Sequence, residues 1–220
     1  MAAVACGGGG GGGGSTETTG TALKGVFRIE AGECGATGVS SGSYFRMVQP
    51  GGTVGKGPFV TNGDSPCDDR TWTPMVAGKD GGFVTGGYQA NPKPAFDAKG
   101  NGTADLITVP QKWFAVGFSL STNPTDPQTK KSVPPLSILV DGSGQLTGDV
   151  SSVSAAWNGQ YFNQGSPKPD GSTPGNTSPL TGTYDESSRS FTIQWASQIV
   201  GGPFNNFTGV WHFVGTFEST

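Results

Sequence analysis

The chain is short of charge. Only 13% of its 220 residues are Asp, Glu, Lys or Arg, and the net charge is −3. Its 13 basic residues form no stripe or cluster, so the attraction to phosphate on which nucleic-acid binding rests is missing. No apolar run approaches the ~20 residues a membrane-spanning helix needs. No segment keeps a helical apolar period over three turns, so helix is expected to be scarce. Histidine is reduced to His212, and cysteine to Cys6, Cys34 and Cys67. HExxH, CxxC and the P-loop are absent and no nucleophile elbow is expected, which leaves zinc, redox, nucleotide and acyl-transfer chemistry without local support. No cofactor is expected.

What the chain has instead is glycine, proline and aromatic rings. Gly (39) and Pro (16) make a quarter of the residues, while aromatics reach 10% and sit in alternating runs. Most glycines therefore read as turns and close approaches between many short strands. The cleanest pattern lies in Leu180 to Phe217. Phe191, Ile193 and Trp195 fall on one face, with Thr192 and Gln194 on the other. Further on, Phe207, Trp211, Phe213 and Phe217 share a face. Period-two alternation is what a strand with one buried side requires.

Further strands are expected at Leu23–Ile29, Ser43–Val48, Thr71–Ala77 (an edge, because of Pro74), Phe83–Gln89, Ala104–Val109 and Trp113–Ser121. In the last of these Phe114, Val116, Phe118 and Leu120 would line one face. Leu136–Val140 and Gln145–Trp157 flank the hairpin signal Asp141-Gly142-Ser143-Gly144. The segments 91–101, 121–135 and 163–179 read as loops, the second a surface loop with four prolines.

One pattern recurs without fixed period: an apolar residue, Thr-Gly, any residue, then an apolar or aromatic one. It starts at Val84, Leu146, Leu180 and Phe207, and a strand whose glycine admits a neighbouring ring explains it. Residues 22–220 are thus expected to form a single all-β domain, an antiparallel β-sandwich, with a closed β-barrel as the alternative.

The first residues, MAAVACGGGGGGGGST, resemble the end of a bacterial lipoprotein signal. Ala3-Val4-Ala5 leads to Cys6, which would be acylated and become the mature N-terminus. Leu is usual where Ala3 stands, and no basic or apolar signal region precedes it, so a start upstream of Met1 is expected. Residues 1–21 then read as a signal remnant followed by a Gly/Ser/Thr tether with a reach of roughly 20 Å. The membrane is expected to be a partner through this anchor alone, and stable anchoring takes more than one acyl chain.

Three strings, STNPTDPQT (Ser121–Thr129), AAWNGQYFNQGSPKPDG (Ala155–Gly171) and WASQIVGGPFNNFTGVWHFVGTF (Trp195–Phe217), are similar to a family of uncharacterised secreted or lipid-anchored bacterial β-rich proteins. The similarity spans about Ser43 to Phe217. It implies an extracytoplasmic address and no particular activity.

If Cys6 carries lipid, an even pair remains, and an exported chain would oxidise it to a Cys34–Cys67 disulfide. Asp97, Asn101 and Asp105 have the spacing of a calcium loop, but Lys99 occupies a ligand position and Thr108 replaces the bidentate Glu, so no tight metal site is expected. Two functional classes follow. One is a non-enzymatic envelope domain that binds a glycan or cell-wall polymer, or serves structurally. Its candidate contacts are Trp72, Trp157, Asn158, Gln160, Tyr161, Phe162 and Asn163, flat rings and amides in polar stretches. The alternative is a secreted hydrolase using His212 or a carboxylate pair assembled by the fold.

Overall fold

A computed structural model describes residues 20–220; the expected anchor, Cys6, and most of the tether lie outside them. Among the described residues there are seventeen strands and no helix, hence none long and apolar enough to cross a membrane. In chain order they are β1 (Thr21–Ala22), β2 (Gly25–Ile29), β3 (Glu33–Gly35), β4 (Gly38–Ser41), β5 (Tyr44–Thr53), β6 (Gly57–Phe59), β7 (Thr73–Pro74), β8 (Gly82–Val84) and β9 (Gln111–Trp113). There follow β10 (Val116–Thr122), β11 (Ser137–Val140), β12 (Gln145–Asp149), β13 (Val153–Trp157), β14 (Gln160–Asn163), β15 (Ser178–Tyr184), β16 (Ser190–Gln198) and β17 (Thr208–Ser219).

The main sheet runs β1-β11-β12-β15-β16-β17-β2-β8, with β5 added beside β17 and carrying β6 and β7. β17 is its axis. One edge pairs with β16 over Thr208–Thr216, while the other is shared between β5, at Thr208–His212, and β2, at Gly215–Ser219. The alternation expected there holds: Phe191, Ile193, Trp195, Trp211, Phe213 and Phe217 are all buried. Trp195, Trp211 and Phe213 stack nearly parallel within about 6 Å. Each such ring contributes on the order of 2 kcal/mol by leaving water.

A second sheet, β14-β13-β10-β9, closes over this face. Its Trp113 and Phe118 meet Phe45 of β5 edge-on or tilted at 5.3 and 5.5 Å. The architecture is therefore an antiparallel sandwich. Its larger sheet curls toward a half-barrel but ends at β1 and β8 without joining them. The recurring Thr-Gly pattern serves this packing. At Gly209 a Cβ would sit 2.2 Å from Gln164 Oε1, the acceptor of the Trp211 Nε1 hydrogen bond.

Four expectations are corrected. Trp113–Ser121 is not one strand: Phe114 and Ala115 take positive φ (49° and 62°) and form a two-residue hairpin turn, leaving Phe114 49% exposed rather than on the inner face. Ala104–Val109 is not a strand of either sheet: it lies along residues 76–80 through backbone hydrogen bonds and the isolated bridge Thr108–Ala77. Gln145–Trp157 breaks at Val150–Ser152, where the chain passes from the main sheet to the second. The loop after β10 is not a mere surface loop, because Asn123, Asp126 and Val133 are buried in it.

The third sheet is the hairpin β3–β4, and its Cys34 is bonded to Cys67, with Cα atoms 5.1 Å apart.

Candidate functional site

Six of the seven candidate contacts fall on one hairpin, β13–β14, which is a strand pair and not a loop. Asn158 and Gly159 turn it with φ of 49° and 70°, the two positive values that a two-residue hairpin loop requires. Alternation then divides the candidates. Phe162 points into the core, and Trp157 leans on Phe204 at 5.3 Å and donates Nε1–H to the Trp113 carbonyl at 2.8 Å. Tyr161 is on the opposite face, 5.0 Å from Phe96. Asn163 is buried and donates to Asp126 Oδ1 (3.0 Å) and the Ser151 carbonyl (2.9 Å). Only Asn158 and Gln160 are exposed.

Between the sheets Phe45, Trp113, Trp157, Phe162, Phe204 and Trp211 enclose an apolar cavity of about 40 Å³. A water occupies roughly 10–15 Å³ on this scale, and ligand sites run to several hundred. The space is a packing void capped by Phe204, too small for a sugar.

The seventh candidate, Trp72, lies apart, on the outer face of the main sheet. Gly38 of β4 packs on it so closely that a Cβ there would fall 2.4 Å from its ring nitrogen. The Arg46 guanidinium lies over the Trp72 ring at 4.1 Å and over Phe59 at 3.4 Å. With Tyr44 edge-on at 4.5 Å and its Nε1–H donated to Asp69, the indole is a buttress for the disulfide-linked hairpin and not a free stacking platform.

His212 stacks on Tyr44 at 4.6 Å, and its buried Nδ1 has no hydrogen-bond partner among the described residues. Burial holds its pKa below the usual value. Among the described residues no carboxylate orients it, so they do not assemble the geometry of a hydrolase base around it. The string Gly38-Val39-Ser40-Ser41-Gly42 has the GxSxG spelling, but it runs through the β3–β4 hairpin and not a strand-to-helix elbow.

In the calcium-like segment the Asp97 carboxylate accepts from Lys99 N, Asn101 N and Asn101 Nδ2, and those Asn101 hydrogen bonds lower its pKa. Asn101 Oδ1 accepts from Gly117 N, and Asp105 pairs with Lys79 at 2.8 Å. The three side chains are turn and bridge formers. Among the described residues no cluster of three or more His, Cys, Asp or Glu side chains could hold a metal.

The three strings singled out in the sequence do converge. Asp126 and Gln128 of the first accept from Asn163 of the second, and Trp195, Ser197 and Trp211 of the third bond to Gly165 and Gln164. At their junction Lys168, 6% exposed, donates to Ser197 Oγ (2.6 Å) and the Asn163 carbonyl (3.0 Å). Burial pushes its pKa down to about 8, with Asp126 and Asp170 opposing. A serine beside a lysine of lowered pKa is the contact used by some acyl-transfer enzymes. Here Ser197 is fully buried and donates to the Gly165 carbonyl, so no substrate reaches it.

No family model, no curated protein and no solved structure matches this chain. The site must therefore be read from its own chemistry. Sequence reasoning missed the Lys168–Ser197 contact, which joins residues 29 apart through three prolines and has no local signature. It also missed the outer face of the main sheet. There the signal was present, because the Thr of Leu146-Thr147-Gly148 and of Leu180-Thr181-Gly182 points outward wherever the glycine points in.

Proposed function

We propose that the protein is an extracytoplasmic, non-enzymatic β-domain, held to a membrane through an acylated Cys6 and binding a glycan or cell-wall polymer. The observation that carries the reading is the Cys34–Cys67 bond, since a structural disulfide persists in an oxidising compartment and is rare in the cytosol. The lipobox-like Ala3-Val4-Ala5-Cys6 and the tether that follows agree with it. Low surface charge favours a neutral, hydroxyl-rich ligand over an ionic one. The test is expression of the gene with its upstream DNA, followed by fractionation. The unmutated protein is expected in the membrane fraction and Cys6→Ser in the soluble fraction. A soluble unmutated protein refutes the anchor, and a glycan array without a hit refutes the ligand class.

A further inference from the structure

The outer face of the main sheet carries an ordered set of neutral polar side chains. Register places Thr147, Thr181, Gln194, His212 and Tyr44 side by side across five strands. A second row, Gln145, Thr183, Thr192 and Val214, runs beside it. Strands repeat every ~4.8 Å, so the first row is roughly 19 Å long. Among the described residues no hydrogen bond within the protein uses the side chains of Gln145, Thr147, Thr181, Thr183, Thr192 or Gln194. These six are exposed or half-exposed. Neither row contains Asp, Glu, Lys or Arg. Thr183, Thr192 and Val214 floor a shallow hollow of about 340 Å³, rimmed by Glu30 and Asp185.

We infer that this face binds an uncharged, extended β-linked polysaccharide lying across the strands, with one or two sugar units seated in the hollow. This rests on the glycan reading above and names its site and ligand class. Hydroxyl and amide groups both donate and accept, as sugar hydroxyls do. The strand spacing is about the advance per sugar in an extended β-linked chain, so successive units meet equivalent positions. Val214 offers an apolar floor for the C–H face of a ring. Charge decides against other polymers: the rim carboxylates repel polyanions, and the rows hold no cation to pair with phosphate or uronate.

Threonine also suits exposed strand positions for backbone reasons, so binding and stability must be measured separately. Full-length protein is titrated calorimetrically with cellohexaose, a neutral β-linked probe, and with an oligogalacturonate of equal length. Cellohexaose is expected to bind and the polyanion not. Thr181→Ala/Thr192→Ala/Gln194→Ala is expected to weaken binding at least tenfold with its melting curve still cooperative; Gln194→Ala alone, expected to weaken it severalfold, serves if the triple variant does not fold. Trp157→Ala/Tyr161→Ala is expected to bind as the parent does. Undiminished binding by the row variants, loss in the hairpin variant, preference for the polyanion, or no cellohexaose binding despite other hits on the glycan array overturns this inference and leaves the broader reading standing. An array with no hits removes both.

Discussion

At the scale of single residues, Lys168 is a costly choice. An ammonium buried this deeply is retained only because Ser197 and Asn163 accept its protons, and removing those acceptors would leave it uncompensated. Its folded pKa of about 8 lies below the ordinary lysine value of 10.5, so between these limits the unfolded chain holds the proton more tightly. Stability from this group is therefore smallest below pH 8 and rises as the pH climbs toward 10.5. Urea unfolding of the parent and of Lys168→Met across pH 7 to 10.5 measures this. The difference should shift in favour of the parent by a few kcal/mol. A difference that stays constant with pH would show that the ammonium is not desolvated in the folded protein.

Among elements, the β3–β4 hairpin is held by two devices: the disulfide and the Trp72–Gly38 contact. The bridge spans 33 residues, so the loop-entropy estimate gives about 3 to 4 kcal/mol. Cys34→Ser/Cys67→Ser is expected to lower the unfolding free energy by that amount while the main sheet keeps its far-UV signature. Unchanged stability would mean that the hairpin is ordered by Trp72 alone. Element legibility differed for physical reasons. β16 and β17 were readable because one side of each faces the core along most of its length, which forces alternation over Phe191–Trp195 and Trp211–Phe213. The β9–β10 turn was not, because Phe114-Ala115 lacks the Gly or Asn usual at positive φ, and Trp-Phe-Ala-Val looks like a continuous strand. In the sequence, residue type alone marks the candidate contacts, flat rings and amides in polar stretches. Once β14 forms, pairing sends Phe162 inward and Tyr161 outward, a separation that composition could not reveal.

For the whole molecule, one aromatic core joins both sheets and leaves a void beneath Phe204. Ala155 lines that void on a strand where a β-branched residue is favoured. Ala155→Val should therefore raise stability by about 1 kcal/mol, read from the shift in the urea midpoint. A loss instead would mean that the surrounding rings cannot accept two more methyl groups. The same core depends on β17, and this has a temporal consequence. Phe27 and Phe217 are partners in the sheet but 190 residues apart in the chain. At a synthesis rate of roughly 5 to 20 residues per second, β2 waits about 10 to 40 s for its neighbour. Throughout that interval Phe27 lacks the Phe217 ring that packs on it in the fold, although β8 is already there to pair with β2. A chain paused before Phe207 has every strand of β1-β11-β12-β15-β16 on one side and of β2-β8 and β5-β6 on the other, but not the one strand that joins them into a single sheet.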